Sequence, residues 1–346
     1  MSENCDHPEE CQKLKMIDDK TVKVQHRTPL ELFSSIDVVK ICAPMVRYSR
    51  LPFRCLIRKY NCDLAFTPMI VSRSFVQSVK ARDSDFTTNS SDRPLIVQFA
   101  ANNAKDFIDA AEIVYHYSDG IDLNCGCPQR WAMQEGYGAC LLDKPELLSD
   151  IVSMARNRLC DDNFSISIKI RIQDDISSFL ARRTVDVCQK MEKAGVSWIS
   201  VHGRTRKQHH QPVNLDAIST VKQSLTIPVV ANGDIKSVLD VESVHKQTSV
   251  NGVMAARGML SNPAMYAGYD QTPLHCVQDW VDIAMELGAP FTTFHHHLIY
   301  MLENVTSRAE KRLFNSLNGT SAVLDYLQDI YGIHYREKLI NNTEKR

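Results

Sequence analysis

Residues 165–204 read SISIKIRIQDDISSFLARRTVDVCQKMEKAGVSWISVHGR. Two short apolar runs, Ser165–Arg171 (SISIKIR) and Trp198–His202 (WISVH), flank an amphipathic segment, Arg183–Ala194, that Gly195 closes. Short runs rich in branched aliphatics suit buried strands, and a glycine just past a periodic segment suits a helix end. The spacing leaves room for a crossover helix, the connection that parallel strands need. Both strands end in polar residues, Lys169-Ile170-Arg171 and His202-Gly203-Arg204-Thr205.

The same unit repeats in both directions. Upstream lie Val38–Ala43, Leu64–Thr67, Leu95–Ala100 and Gly120–Asn124; downstream lie Ile227–Ala231 and Gly252–Ala255. Helices are expected between them at Leu51–Tyr60, Ala104–Tyr117, Pro145–Leu159, Leu215–Gln223 and Ser237–Gln247. Eight strand–helix units over about 230 residues predict an α/β fold, a (β/α)8 TIM barrel spanning 36–265. A doubly wound open sheet is the alternative, and it lacks the G-x-G-x-x-G turn that would follow one of its strands. After Pro263 no strands intervene. Leu274–Leu287, Pro290–Val305, Ser307–Leu317 and Ser321–Tyr331 predict a C-terminal helical bundle domain over 274–333. Residues 1–35 read as a disordered lead and 334–346 as a charged tail.

Of the 346 residues, 44% are hydrophobic and 23% charged, and the formal net charge is −1. This is an ordinary globular balance, and it excludes a protein that holds nucleic acid by overall basicity. Two basic stretches sit within it, +6 over residues 40–93 and +4 over 150–210. Solvated helix faces commonly explain such runs. No window is long and apolar enough to span a membrane. The opening MSENCDHPEE resembles neither a secretory signal nor a transit peptide, and the eleven cysteines follow no framework spacing. The expectation is reduced thiols and a cytoplasmic protein, also compatible with the nucleus, with no membrane partner and a monomeric state.

In such a barrel the active site lies at the C-terminal ends of the strands. These ends are Ala43-Pro44-Met45-Val46, Gln98, Asn124-Cys125-Gly126-Cys127-Pro128, Lys169-Ile170-Arg171, His202-Gly203-Arg204-Thr205, Asn232-Gly233-Asp234 and Ala256-Arg257-Gly258. One polar strand end is commonly a satisfied core residue; seven converging on one mouth point to a site. The last two lie where barrels bind phosphate, and Arg257 adds a charged fork. With Lys169 and His202 on adjoining strands for the polar edge of a ring, the outline fits flavin mononucleotide (FMN) or a phosphorylated substrate.

Cys125 and Cys127 lack a second ligand pair of metal-site spacing, and His295-His296-His297 lies far off, so no metal is expected. A disulfide across one residue is strained. What remains is a thiol as acid or nucleophile, and at an ordinary pKa of about 8.5 it is about 3% ionised at pH 7. Pro128 stiffens the loop at Cys127, and Gln129–Gly138 is placed to act as a lid.

These motifs, in this order, resemble the tRNA-dihydrouridine synthases over roughly residues 36–335. The stretch Asn124–Leu142 (NCGCPQRWAMQEGYGACLL) is most similar to the eukaryotic subfamily acting at tRNA positions 20a and 20b. The resemblance implies reduction of the uracil 5,6 double bond, with NADPH or NADH as reductant and FMN delivering hydride to C6. It implies Cys127 as proton donor to C5. FMN contacts would come from Pro44, Met45, Val46, Gln98, Lys169, His202, Asn232, Gly233, Asp234, Ala256 and Arg257. Asn124 and Arg171 would face the uracil. Because the uracil must be flipped out of a folded tRNA, the basic stretch at the mouth acquires a use: Arg47, Arg50, Arg54 and Arg58 are expected on the RNA backbone. Ala256 departs from the glycine many members carry, which matters only at positive φ. The acidic loop Gln173–Leu180 (QDDISSFL) has no assigned role. Competing expectations are an FMN barrel acting on a free pyrimidine and a non-catalytic tRNA-binding barrel.

Overall fold

Parallel pairing begins at Val39, beside Gly252, and runs round a complete circle. The strands of the computed structural model are β1 (Val39–Cys42), β2 (Leu64–Phe66), β3 (Ile70–Val71), β4 (Leu95–Ala100), β5 (Gly120–Cys125), β6 (Ser165–Arg171), β7 (Trp198–His202), β8 (Val229–Asn232) and β9 (Gly252–Ala255). The structure describes residues 26–173 and 182–337. Neighbours run β2-β1-β9-β8-β7-β6-β5-β4, and Ala65 of β2 opposite Leu95 of β4 closes the ring. Eight strands thus form the expected barrel, and β3 adds a two-residue pairing at the end of β4.

Register decides what the lumen contains. Gln98, Asp122 and Ser167 are paired across β4, β5 and β6. Asn124, Lys169 and Ser200 form the next row, and Arg171, His202 and Asn232 the one nearest the mouth. Side chains alternate along a strand, so these polar rows share one face while Ile166, Ile168 and Ile170 occupy the other. All three isoleucines are fully buried.

The lead over 1–35 needs correction in its described part. Pro29–Ser35 is a helix, opened by a capping box between Thr28 and Glu31. Leu32 and Phe33 are buried, and the Phe33 ring lies 5.3 Å from that of Trp198 at the start of β7. The helix therefore seals the barrel floor. Apolar burial, not propensity, holds so short a helix.

Pro145–Leu159 and Leu215–Gln223 form as expected; Ala104–Tyr117 divides into a helix to Val114 and a 3-10 turn. Ser72–Gln77, Val79–Asp85 and Arg130–Gln134 are additional short helices. The C-terminal bundle comprises Leu274–Glu286, Phe291–Met301, Arg308–Ser316 and Thr320–Tyr331. It is welded to the barrel through one continuous core. Tyr60 donates to Asp279 at 2.7 Å. His297, fully buried, stacks on Phe53 and places Nε2 3.2 Å from the Tyr48 carbonyl. Arg336 of the tail pairs with Asp282. Apart from Gln173, the acidic loop lies outside the described residues.

Candidate active site

Strand alternation separates the two cysteines. Asn124 points into the lumen, so Cys125 points out into the layer beneath the helices, where it is fully buried and its thiol faces the Leu123 carbonyl at 3.6 Å. Burial pushes this thiol well above its ordinary range. Cys127 lies past the strand end and is half-buried. Its N–H donates to Asn124 Oδ1 at 2.9 Å, and its carbonyl accepts from Ala139 N–H at 3.0 Å. It packs against a small buried cluster of Ala100, Ala132 and Tyr137, which Met69 and Val71 also cover. The segment expected as a lid is docked here: Asn102 Nδ2 donates to the Glu135 carbonyl at 2.9 Å.

Arg171 frames the same loop. Its Nε donates to the Gly126 carbonyl at 2.9 Å and its Nη1 to the Thr205 carbonyl at 3.1 Å. Asn124 is likewise engaged, donating to Gln98 Oε1 at 2.9 Å while accepting from the Gly126 and Cys127 backbone. The two residues expected to face the uracil thus hold the loop that carries Cys127.

Lys169 donates to Asn232 Oδ1 at 2.8 Å, and Asn232 donates onward to the Met254 carbonyl at 2.8 Å. Burial, then the neighbouring Arg171, pulls Lys169 down to about 8. His202 is pulled down to about 2 by burial and by Lys169, Arg171, Arg204 and Arg257. It is therefore a neutral imidazole at working pH, set among cations, an environment suited to an anionic ligand.

The loops after β8 and β9 supply a cradle. Gly233 has φ +125°, and a Cβ there would lie 2.6 Å from Val213 Cγ2 and 3.1 Å from His202 Nε2. At Gly258 a Cβ would fall 2.2 Å from the Ile235 carbonyl oxygen, so the two loops touch through bare backbone. Arg204, nearly buried, pairs with Asp234 and holds that turn. The Arg257 side chain is 70% exposed, 3.9 Å from Asp234. A cavity of about 730 Å³ opens here, lined by His202, Asn232, Gly233, Asp234, Ala256 and Arg257 and reaching Glu303 and Asn304 of the helical domain. Ala256 has φ −123°, so its backbone is not in the positive-φ region that would call for glycine. Pro44, Met45 and Val46 begin the loop after β1, anchored by the Ala43 N–H to the Ala255 carbonyl and by the Met45 N–H to Ser49 Oγ.

Two expected RNA contacts are corrected. Arg54 is 1% exposed; its Nε and Nη2 donate to Asp92 Oδ2 at 2.9 and 2.7 Å, and its Nη1 donates to the Ser49 carbonyl. Arg58 binds the other Asp92 oxygen at 3.1 Å and the Pro94 carbonyl at 2.8 Å. Arg54 thus belongs to the internal helix face, and Arg58, partly buried beside it, has its guanidinium committed to Asp92 and the Pro94 carbonyl. Arg47 is exposed and Arg50, at the same mouth, partly so.

Sequence reasoning missed Asp122. It is fully buried, accepting Ser167 Oγ at 2.7 Å and Gln98 Nε2 at 2.8 Å. Burial pushes it up to about 6 from 3.8. As pH rises from about 4 to 6, the unfolded chain releases a proton the native state keeps. Asp122 should therefore cost up to about 3 kcal/mol of stability by pH 7. Asp122→Asn removes this cost, so its stability advantage over the parent should widen from pH 4 to 6 and then level. Urea unfolding at both ends of that window checks it; equal differences would make Asp122 an ordinary carboxylate.

Among the described residues no three His, Cys, Asp or Glu side chains gather as metal ligands. The family model for dihydrouridine synthase (Dus) matches residues 41–342. A human tRNA-dihydrouridine(20a/20b) synthase [NAD(P)+]-like protein is 61% identical over 307 residues, covering 89% of this chain and 95% of that one. A tRNA-dihydrouridine(20a/20b) synthase [NAD(P)+] from Schizosaccharomyces pombe is 43% identical over 292 residues, covering 84% and 87%. Among solved structures, a 2-naphthoyl-CoA reductase complex shares the fold at TM-score 0.51 and 9% identity, covering 70% of this chain and 50% of that one.

Proposed function

Since this chain belongs to the dihydrouridine synthase family, we propose that it reduces the 5,6 double bond of tRNA uridines at positions 20a and 20b, using FMN and either NADPH or NADH. The observation that carries the reading is Cys127: a thiol on a loop held by hydrogen bonds, at a barrel mouth lined by Lys169, Arg171 and neutral His202. The cradle fits FMN. Bare backbone at Gly233 and Gly258 lets the two loops close up into the cradle wall, Arg257 supplies charge for a phosphate, and Gln98, Lys169, His202 and Asn232 offer a mixed donor set to the ring edge. When bound, FMN supplies the hydride chemistry that couples NAD(P)H oxidation to uracil reduction.

The chain's own part is positioning and a proton. Cys127 holds a proton at Sγ for uracil C5, and Asn124 and Arg171 fix the loop beside the place the base would take. Arg47 and Arg50 stand at the rim for tRNA phosphates. A tRNA substrate fits a cytoplasmic or nuclear enzyme.

The test is dihydrouridine formation in unmodified tRNA transcript by the purified protein with FMN and NADPH, read by mass spectrometry. Product confined to free uracil or orotate, with salt-independent tRNA binding, would favour the free-pyrimidine reading instead. Gly258→Ala should weaken FMN binding about 10–100-fold, because overpacking costs ~1–3 kcal/mol and the added methyl must part the two loops. Unchanged affinity in a fluorescence titration would remove these loops from the phosphate site.

A further inference from the structure

The polar residues above the floor form a directional chain across the barrel. Asp122 Oδ2 accepts from Gln98 Nε2, Gln98 Oε1 accepts from Asn124 Nδ2, and Asn124 Oδ1 accepts from the N–H groups of Gly126 and Cys127. Asp122 and Gln98 are buried to within 1% of completely, and Asn124 is 7% exposed. An amide carries donors at one end and an acceptor at the other, so turning either one would set like groups face to face in a buried place. Only the carboxylate end of the chain lacks a donor when ionised, and it is tied on its far side by the Ser167 hydroxyl.

We infer that Asp122 is a positioning residue: as the terminal acceptor it fixes the orientation of the Gln98 and Asn124 amides, and through them the seat of Cys127. The inference rests on the proposed reaction only for its catalytic consequence. The seat of the thiol is a property of the protein itself and is measurable without turnover. Among the described residues Asp122 has no hydrogen bond to Cys127; its hold on the loop travels through two amides, and its charge, which also acts on Lys169, is lost equally in Asp122→Asn and Asp122→Leu. Asp122→Leu keeps the shape and removes the acceptor, leaving Gln98 Nε2 free to swing. Asp122→Asn retains an acceptor toward Gln98, because the Ser167 hydroxyl is able to turn to the Ile121 carbonyl, 3.5 Å away.

The experiment is the rate of Cys127 alkylation by iodoacetamide in the full chain from pH 6 to 9, located by peptide mass spectrometry. Asp122→Leu and Gln98→Met should each change the rate by about fivefold or more, the effect of one buried hydrogen bond of ordinary strength. Asp122→Asn should stay within about twofold. The double variant Asp122→Leu/Gln98→Met should behave as Gln98→Met alone, since one residue acts through the other. It leaves neither partner unpaired, so it serves if Asp122→Leu alone fails to fold. The proposal is overturned if Asp122→Leu reacts as the parent does, if the two changes multiply, or if Asp122→Asn behaves as Asp122→Leu. If Cys127 proves dispensable for turnover while these rates move as stated, the proposed reaction has failed and the positioning stands.

Discussion

Dihydrouridine formation should fall by about 10²–10⁴ in Cys127→Ala, the usual loss when a general acid is removed. Binding of FMN and consumption of NADPH should persist, because neither needs a proton from this thiol. Cys125→Ala should keep turnover near the parent's. Its side chain lies on the outer face of β5, fully buried and raised well above its ordinary pKa, so it neither reaches the mouth nor ionises there. The cost there should instead be stability, from a small cavity under the helices. Single-turnover reaction of each variant with tRNA transcript decides. Turnover lost in Cys125→Ala and kept in Cys127→Ala would assign the acid to the other sulfur; no loss in either would end the thiol mechanism.

Arg54→Ala should lower folding stability by about 3–5 kcal/mol, since it strips a buried partner from Asp92. Arg50→Ala, near the same helix start but reaching only the Ser84 carbonyl, should stay within about 0.5 kcal/mol. Conversely, charge reversal at Arg47 and Arg50 should flatten the salt dependence of tRNA binding, by a log–log slope of about one per lost phosphate contact. Arg54→Ala protein that remains folded should keep the parent slope. An Arg54→Ala variant as stable as the parent but weaker on tRNA would reverse the assignment and put this arginine back on the RNA.

The contrast between these arginines shows where sequence reading stops. Arg54 and Arg58 stand four apart on one helix, and composition marks them only as basic. Which way they face is decided by Asp92, more than thirty residues away, which takes both. The strands were legible because runs such as SISIKIR and WISVH leave little choice of structure, and the polar residues at their ends then converged by topology alone. β3, two residues long, exists only because β4 is beside it. The Pro29–Ser35 helix is too short to show a period, yet its Thr28-Pro29-Leu30-Glu31 start carried a capping signature. Asp122 sat in plain view in GIDLN. Its spacing of two from Asn124 put both on the lumen face, and that alternation was the signal to follow.

The floor helix also sets an order of events in time. Phe33 is among the first described residues to be made, and its partner Trp198 comes 165 residues later. At ribosomal rates of ~5–20 residues per second, that is an interval on the order of ten seconds or more. β1 waits longer still, since β9 pairs with it from Val39 opposite Gly252. During synthesis the growing chain therefore carries an open edge and an uncovered apolar turn at its beginning. The ring closes only when its last strand emerges to meet its first.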